Sequence, residues 1–154
     1  MKIKFVISLP LMVLAAACSH PVAPQLIINQ RASVPVAFHL QDLKVIASGI
    51  NKKHKTMSTL YGNSNAVNRA RSGRPVGAGE ELVLITWRQK EDENWFGANI
   101  PANIASVEKV VTSGNPMTIN YQRYEGPALT LAADTSGRNH RIIAIFEQKS
   151  SIMP

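Results

Sequence analysis

Short apolar runs, separated by polar or glycine-rich stretches, recur along most of this chain. Runs of this length that are rich in branched and aromatic residues are typical of β-strands. The strongest is Leu82–Trp87, and Met117–Tyr124 alternates between apolar and polar positions with a period of two. Leu43–Ile50 also predicts a strand, and Thr56–Tyr61 could form a shorter one between loops.

Two pairs of these runs are spaced as β-hairpins. Polar residues 88–94 separate Leu82–Trp87 from Trp95–Ile100, which predicts a hairpin with a charged tip. Leu129–Ala133 and Arg141–Phe146 flank a turn-forming stretch and predict a second hairpin. This strand setting places the two tryptophans, Trp87 and Trp95, in the core or in cross-strand pairs rather than at the surface.

Other stretches give a less definite pattern. In residues 101–112, Ile104, Val107, Val110 and Val111 recur at helical spacing, which favours a helix, although the same residues suit an extended segment. Leu26–Ile28 and Val34–Phe38 are short β-favouring pieces, and Pro35 suggests an edge position for the second.

Glycine, asparagine and proline dominate residues 51–79. Gly62–Asn65, Ser72–Pro75 and Gly77–Gly79 predict turns, so this stretch is expected to be a functional loop or partly mobile. The fold predicted for the whole is mainly β. It is an antiparallel β-sandwich of about six to eight short strands with at most one short helix.

The N-terminus carries an export signal. Lys2 and Lys4 precede an apolar run at 5–14 and then Ala15–Cys18, the order of a secretory signal peptide. We therefore assign residues 1–17 to the signal and 18–24 to an extended, proline-containing tether. A single β-rich domain at 25–148 and a frayed tail at 149–154 complete the chain.

Cys18 is the only cysteine, and it directly follows three alanines. The arrangement resembles the lipobox of bacterial lipoproteins, which implies that Cys18 is acylated and becomes the mature N-terminus. Two alternatives stay open: an ordinary cleavage site of a secreted protein, and an uncleaved anchor. By the same resemblance, Ser19 in place of an aspartate implies the outer membrane, facing the periplasm. No intramolecular disulfide and no thiolate zinc site can form with a single cysteine.

Positive charge is concentrated in one segment. The chain has a net charge of +7, and residues 43–79 contain no acidic residue. Their basic residues are Lys44, Lys52, Lys53, Lys55, Arg69, Arg71 and Arg74. The segment could simply be a solvated loop face. As a functional surface, it would attract anionic lipid head groups or an acidic protein, and a periplasmic address disfavours nucleic acid. We take Lys52, Lys53, Lys55, Arg69, Arg71 and Arg74 as the candidate partner-binding residues.

Catalytic and metal-binding patterns are not found in the sequence. It has no nucleophile elbow, no zinc-protease motif and no phosphate-binding glycine loop. His20, His39, His54 and His140 are isolated in sequence, and Glu91–Glu93 predicts a solvated hairpin tip rather than a cation site. We expect no cofactor, no metal and no enzymatic activity.

The signal with Ala15–Cys18, the Gly62–Asn65 stretch, the strand ending in Trp87 and the closing hairpin together define an order of parts. This order resembles envelope lipoproteins that accompany type VI secretion effectors, some of which are immunity proteins against phospholipases. The resemblance implies a lipid-anchored protein that binds a partner protein. The alternative is a structural or accessory lipoprotein of an envelope assembly or secretion apparatus, and the third hypothesis is an enzyme.

Overall fold

The computed structural model describes residues 30–134 and 136–151. Within these residues, six strands pair in sequence order as one antiparallel meander. The strands are β1 (Lys44–Asn51), β2 (Thr56–Gly62), β3 (Glu81–Glu91), β4 (Asn99–Ser113), β5 (Thr118–Glu125) and β6 (Thr130–Leu131). Helix α1 (Ser64–Ser72) connects β2 to β3, and α2 (Arg138–Phe146) follows β6. Single 3-10 turns at Gln30–Ala32, Val36–Phe38 and Leu40–Asp42 precede β1.

Both faces of the sheet are covered. On one face, which we call the helix face, Leu82 and Leu84 of β3 pack with Val67 of α1 and Ile145 of α2. On the other face, Val83, Ile85 and Trp87 pack with Phe38 and the segment around it. Because successive side chains of a strand point to opposite faces, the unbroken apolar run of β3 supplies both cores.

The mainly β prediction is confirmed, and so are the strands at Leu43–Ile50, Thr56–Tyr61, Leu82–Trp87 and Met117–Tyr124. The sandwich is not confirmed, because the described strands form one sheet and helices or 3-10 turns lie where a second sheet would pack. The described residues contain two α-helices, where at most one was expected.

The turn predicted at Gly62–Asn65 is wrong, because α1 begins there. The Asn63 side chain accepts a hydrogen bond from the Ala66 backbone N–H at 3.1 Å, so it caps the first turn of the helix. Gly73 ends the same helix in the left-handed conformation with φ of 67°. Residues that form turns therefore mark the two ends of α1.

The helix favoured for residues 101–112 is also wrong, because β4 runs through all of them. Its branched residues pair with β3, for example Val107 with Ile85 and Val110 with Leu82. A register shift opposite Trp87 places Ile104 and Val107 in the same core, although they are three residues apart. The helical spacing in the sequence thus comes from a bulged strand that is buried on both faces.

Three further expectations need correction. Arg141–Phe146 belongs to α2 rather than a closing hairpin, with Ile142 and Ile145 buried and Ile143 54% exposed. Val36–Phe38 is a 3-10 turn instead of an edge strand. The tail at 149–151 is bonded rather than frayed, since the Ser151 N–H donates to the Ile46 carbonyl at 2.8 Å. Leu26–Ile28 lies outside the described residues.

Candidate functional site

A two-stranded ribbon projects from one end of the sheet. β2 stops pairing with β3 at Arg88, but β3 and β4 continue to pair as far as Glu91 and Asn99. The Asp92 N–H donates to the Ala98 carbonyl at 3.0 Å and closes the loop between them. The hairpin predicted here is therefore confirmed, and its tip is an ordered turn.

Two aromatic side chains lie in that loop without a core to pack against. Trp95 is 73% exposed and Phe96 is fully exposed. The prediction that both tryptophans are core or cross-strand residues holds only for Trp87, whose indole N–H donates to the Ala32 carbonyl at 2.8 Å. The strand expected at Trp95–Ile100 begins only at Asn99. Large apolar side chains that are exposed side by side, as here at the end of the ribbon, are typical of interaction sites.

The turn between β1 and β2 lies beside the base of this ribbon. It contains Lys52, Lys53 and Lys55, all exposed, and the Lys55 carbonyl accepts a hydrogen bond from the Gln89 N–H of β3 at 2.9 Å. A groove of about 500 Å³ runs between the turn and the ribbon, with Lys52 and Lys55 on one side and Glu91 and Asn99 on the other. We call Lys52, Lys53, Lys55, Trp95 and Phe96 together the tip surface.

The remaining candidate residues do not belong to the tip surface. Arg71 and Arg74 are exposed near the end of α1, which follows the opposite end of β2. Arg71 lines a groove with Val45 and Ser48 of β1, and Arg74 lines a second groove with Gly77 and Glu80. The three arginines therefore lie in surroundings different from those of the three lysines.

Arg69 is a structural residue rather than a surface contact. It is 7% exposed, and its Nε lies 2.7 Å from Oε2 of Glu80, which is 3% exposed. Its Nη1 donates to the Phe146 carbonyl at 3.0 Å, and the guanidinium lies 5.3 Å from the centre of the Phe146 ring. Together these contacts link α1 to α2 and to Glu80, the residue that precedes β3. Arg69 therefore cannot also bind a partner without leaving this site.

A second buried network lies on the helix face. Glu108 is 2% exposed and accepts two hydrogen bonds from Arg141, at 2.9 and 2.5 Å, and one from the Tyr121 hydroxyl at 2.7 Å. Burial, followed by the hydrogen bond to Glu108 and the negative charge of that carboxylate, raises the pKa of Tyr121 to about 12. The hydrogen bonds to Glu108 likewise raise the pKa of Arg141.

The histidines do not converge. His39, His54 and His140 are all exposed, at a 3-10 turn, the β1–β2 turn and α2 respectively. Within residues 30–134 and 136–151, no group of three or more His, Cys, Asp or Glu side chains could hold a metal ion.

No helix in the same part of the chain is long and apolar enough to cross a bilayer. Cys18 and His20 lie outside the described residues.

No protein-family model and no curated protein matches this sequence.

Proposed function

We propose that this protein is a lipid-anchored, non-enzymatic binding protein of the bacterial envelope, which recognises a partner protein through its tip surface. The exposure of Trp95 and Phe96 on an ordered ribbon carries the proposal. Tryptophan is enriched among the residues that dominate binding energy, because it buries a large area at a low cost in conformational entropy. Burial against a partner removes from water the apolar surface that the free protein exposes.

Charge favours a protein over a membrane as the occupant of the tip. Asp92 and Glu93 lie in the same loop as the aromatic pair, so inserting the loop among anionic head groups would bring like charges together. A protein surface can instead place acidic groups against the lysine turn and basic groups against Asp92 and Glu93. By the resemblance to immunity lipoproteins, we propose a type VI effector such as a phospholipase as the partner.

We expect the double variant Trp95→Ser/Phe96→Ser to bind its partner at least about tenfold more weakly, since each central aromatic anchor is worth about 2 kcal/mol or more. To measure this, the full-length protein, tagged after Pro154, is used to capture its partner from detergent-solubilised envelopes. The amount of partner captured is compared between the variants. Ile143→Ser is the matched control, because Ile143 is an exposed apolar residue on a different element. Equal capture by the wild type and the double variant would reject the tip surface as the binding site.

The anchor requires its own test. With Cys18→Ser, incorporation of labelled fatty acid into the protein should be lost, and the protein should move from the membrane fraction to the soluble periplasm. If the wild-type protein took up no labelled fatty acid, lipid anchoring would be contradicted. That result would not bear on binding through the tip surface. The two parts of the proposal therefore fail separately.

A further inference from the structure

A polar cleft of about 360 Å³ lies on the helix face, next to the part of the sheet that α2 covers. The rest of that face is apolar, with Leu60, Leu82 and Val110 fully buried beneath the helices. In the cleft the strands present polar side chains instead. Its lining includes Ser58, Thr86, Ser106, Arg123, Arg141 and His54, and also Glu108, whose carboxylate is paired with Arg141.

Three hydroxyl groups form a row across the floor of the cleft. Ser58 of β2 pairs with Thr86 of β3, which in turn pairs with Ser106 of β4. Because they occupy matching positions on neighbouring strands, their side chains project from the same face of the sheet. Within the described residues none of the three hydroxyls takes part in a hydrogen bond, although Ser106 is only 8% exposed. Their donors and acceptors remain available to a ligand.

Two arginines reach the same cleft, each held by a carboxylate. Glu108 fixes Arg141 through Nε and Nη2. Glu125 lies 3.1 Å from Nη2 of Arg123. The Nε of Arg123 is buried and has no hydrogen-bond partner among residues 30–134 and 136–151. Such a donor is costly to leave without a partner, and it belongs to a side chain that lines the cleft.

We propose that this cleft binds the phosphate group of a small polar molecule. Guanidinium groups match phosphate oxygens in geometry and charge, and hydroxyl donors complete the oxygen shell. A carboxylate orients each guanidinium before the ligand arrives, so less side-chain freedom is lost on binding. The volume is at the lower end of the range for small-molecule sites and leaves room for a polar substituent on the phosphate.

The proposal does not depend on the tip surface, because the cleft uses none of its five residues. A phosphate of this kind could belong to a free phosphate monoester or to the head group of a membrane phospholipid. The same residues would hold either one. The test therefore compares the two sources.

Calorimetric titration of the purified protein with glycerol 3-phosphate should give saturable binding, weakened at least about tenfold by Arg123→Gln and by Ser106→Ala. Arg31→Gln is the matched control, since Arg31 is an exposed arginine outside the cleft. Thermal unfolding checks that each variant is folded. If Arg123→Gln does not fold, Ser106→Ala alone still tests the proposal.

Flotation of the unlipidated Cys18→Ser protein with phosphatidylglycerol vesicles provides the second arm, because the acyl chains would otherwise bind any vesicle. Saturable binding of glycerol 3-phosphate that depends on Arg123 and Ser106 identifies a free ligand. Vesicle binding with the same dependence, and no binding of the free compound, identifies a lipid head group. No binding to either, or equal loss with Arg31→Gln, would overturn the proposal.

Discussion

Replacing Arg69 with alanine should lower the free energy of unfolding by about 3–5 kcal/mol, a large part of the roughly 5–15 kcal/mol that stabilises a domain. The substitution leaves the Glu80 carboxylate buried without its cation. It also removes the hydrogen bond to the Phe146 carbonyl and the contact with the Phe146 ring. Urea unfolding followed by circular dichroism measures the change.

Arg71→Ala provides the matched control for Arg69→Ala. Arg71 is in the same turn of α1 but is exposed, and its replacement should change the unfolding free energy by less than about 0.5 kcal/mol. Combining Arg69→Ala with Glu80→Ala should cost less than the sum of the two single changes, because the second removes the charge stranded by the first. Equal effects of Arg69→Ala and Arg71→Ala would show that the buried ion pair does not stabilise the fold.

Gly62→Val should destabilise the protein by about 3 kcal/mol, because α1 and β1 leave no room for a side chain at this position. A Cβ atom on Gly62 would lie 2.9 Å from the Cβ of Ala66 in α1 and 2.6 Å from Cδ1 of Ile46. The Ile46 side chain can rotate, but the Ala66 Cβ can move only with the helix. The midpoint of thermal unfolding is the simplest measurement.

Gly49→Val is the corresponding control on the neighbouring strand. A Cβ at Gly49 would meet only the Ser58 hydroxyl oxygen, at an ordinary contact distance of 3.6 Å. Valine also suits an exposed strand position, and replacing a glycine restricts the unfolded chain, so this variant should be as stable as the wild type or slightly more stable. A Gly62→Val protein as stable as Gly49→Val would mean that α1 does not pack as closely on the sheet as described.

Strands could be predicted from the sequence where branched residues give a direct signal, as in Leu82–Trp87. The signal failed at β4, because this strand is buried on both faces and contains a bulge, so that Ile104, Val107 and Val110 fall three residues apart. It failed again at Arg141–Phe146, where a short apolar run is compatible with either a strand or a helix. Only the three-residue spacing of buried Ile142 and Ile145, with Ile143 exposed between them, distinguishes a helix from a strand, and this burial depends on tertiary packing.

The candidate site was predictable only in part. The lysines between β1 and β2 could be placed in a turn by local sequence, and the structure shows them exposed. The burial of Arg69 could not be inferred, because it depends on an ion pair with a residue eleven positions away. One signal was available for α1: Asn63 precedes apolar residues at helical spacing, and Gly73 follows them. The exposure of Trp95 and Phe96 depends on how far the β3–β4 ribbon extends beyond its neighbours.

Recognition of a partner by the tip surface is tested most directly by photo-crosslinking in living cells from Phe96→p-benzoylphenylalanine, with Ile143→p-benzoylphenylalanine as the reference. The proposal predicts one discrete crosslinked protein from position 96 that is missing from position 143. No crosslinked product from position 96, or the same product from both positions, would contradict it.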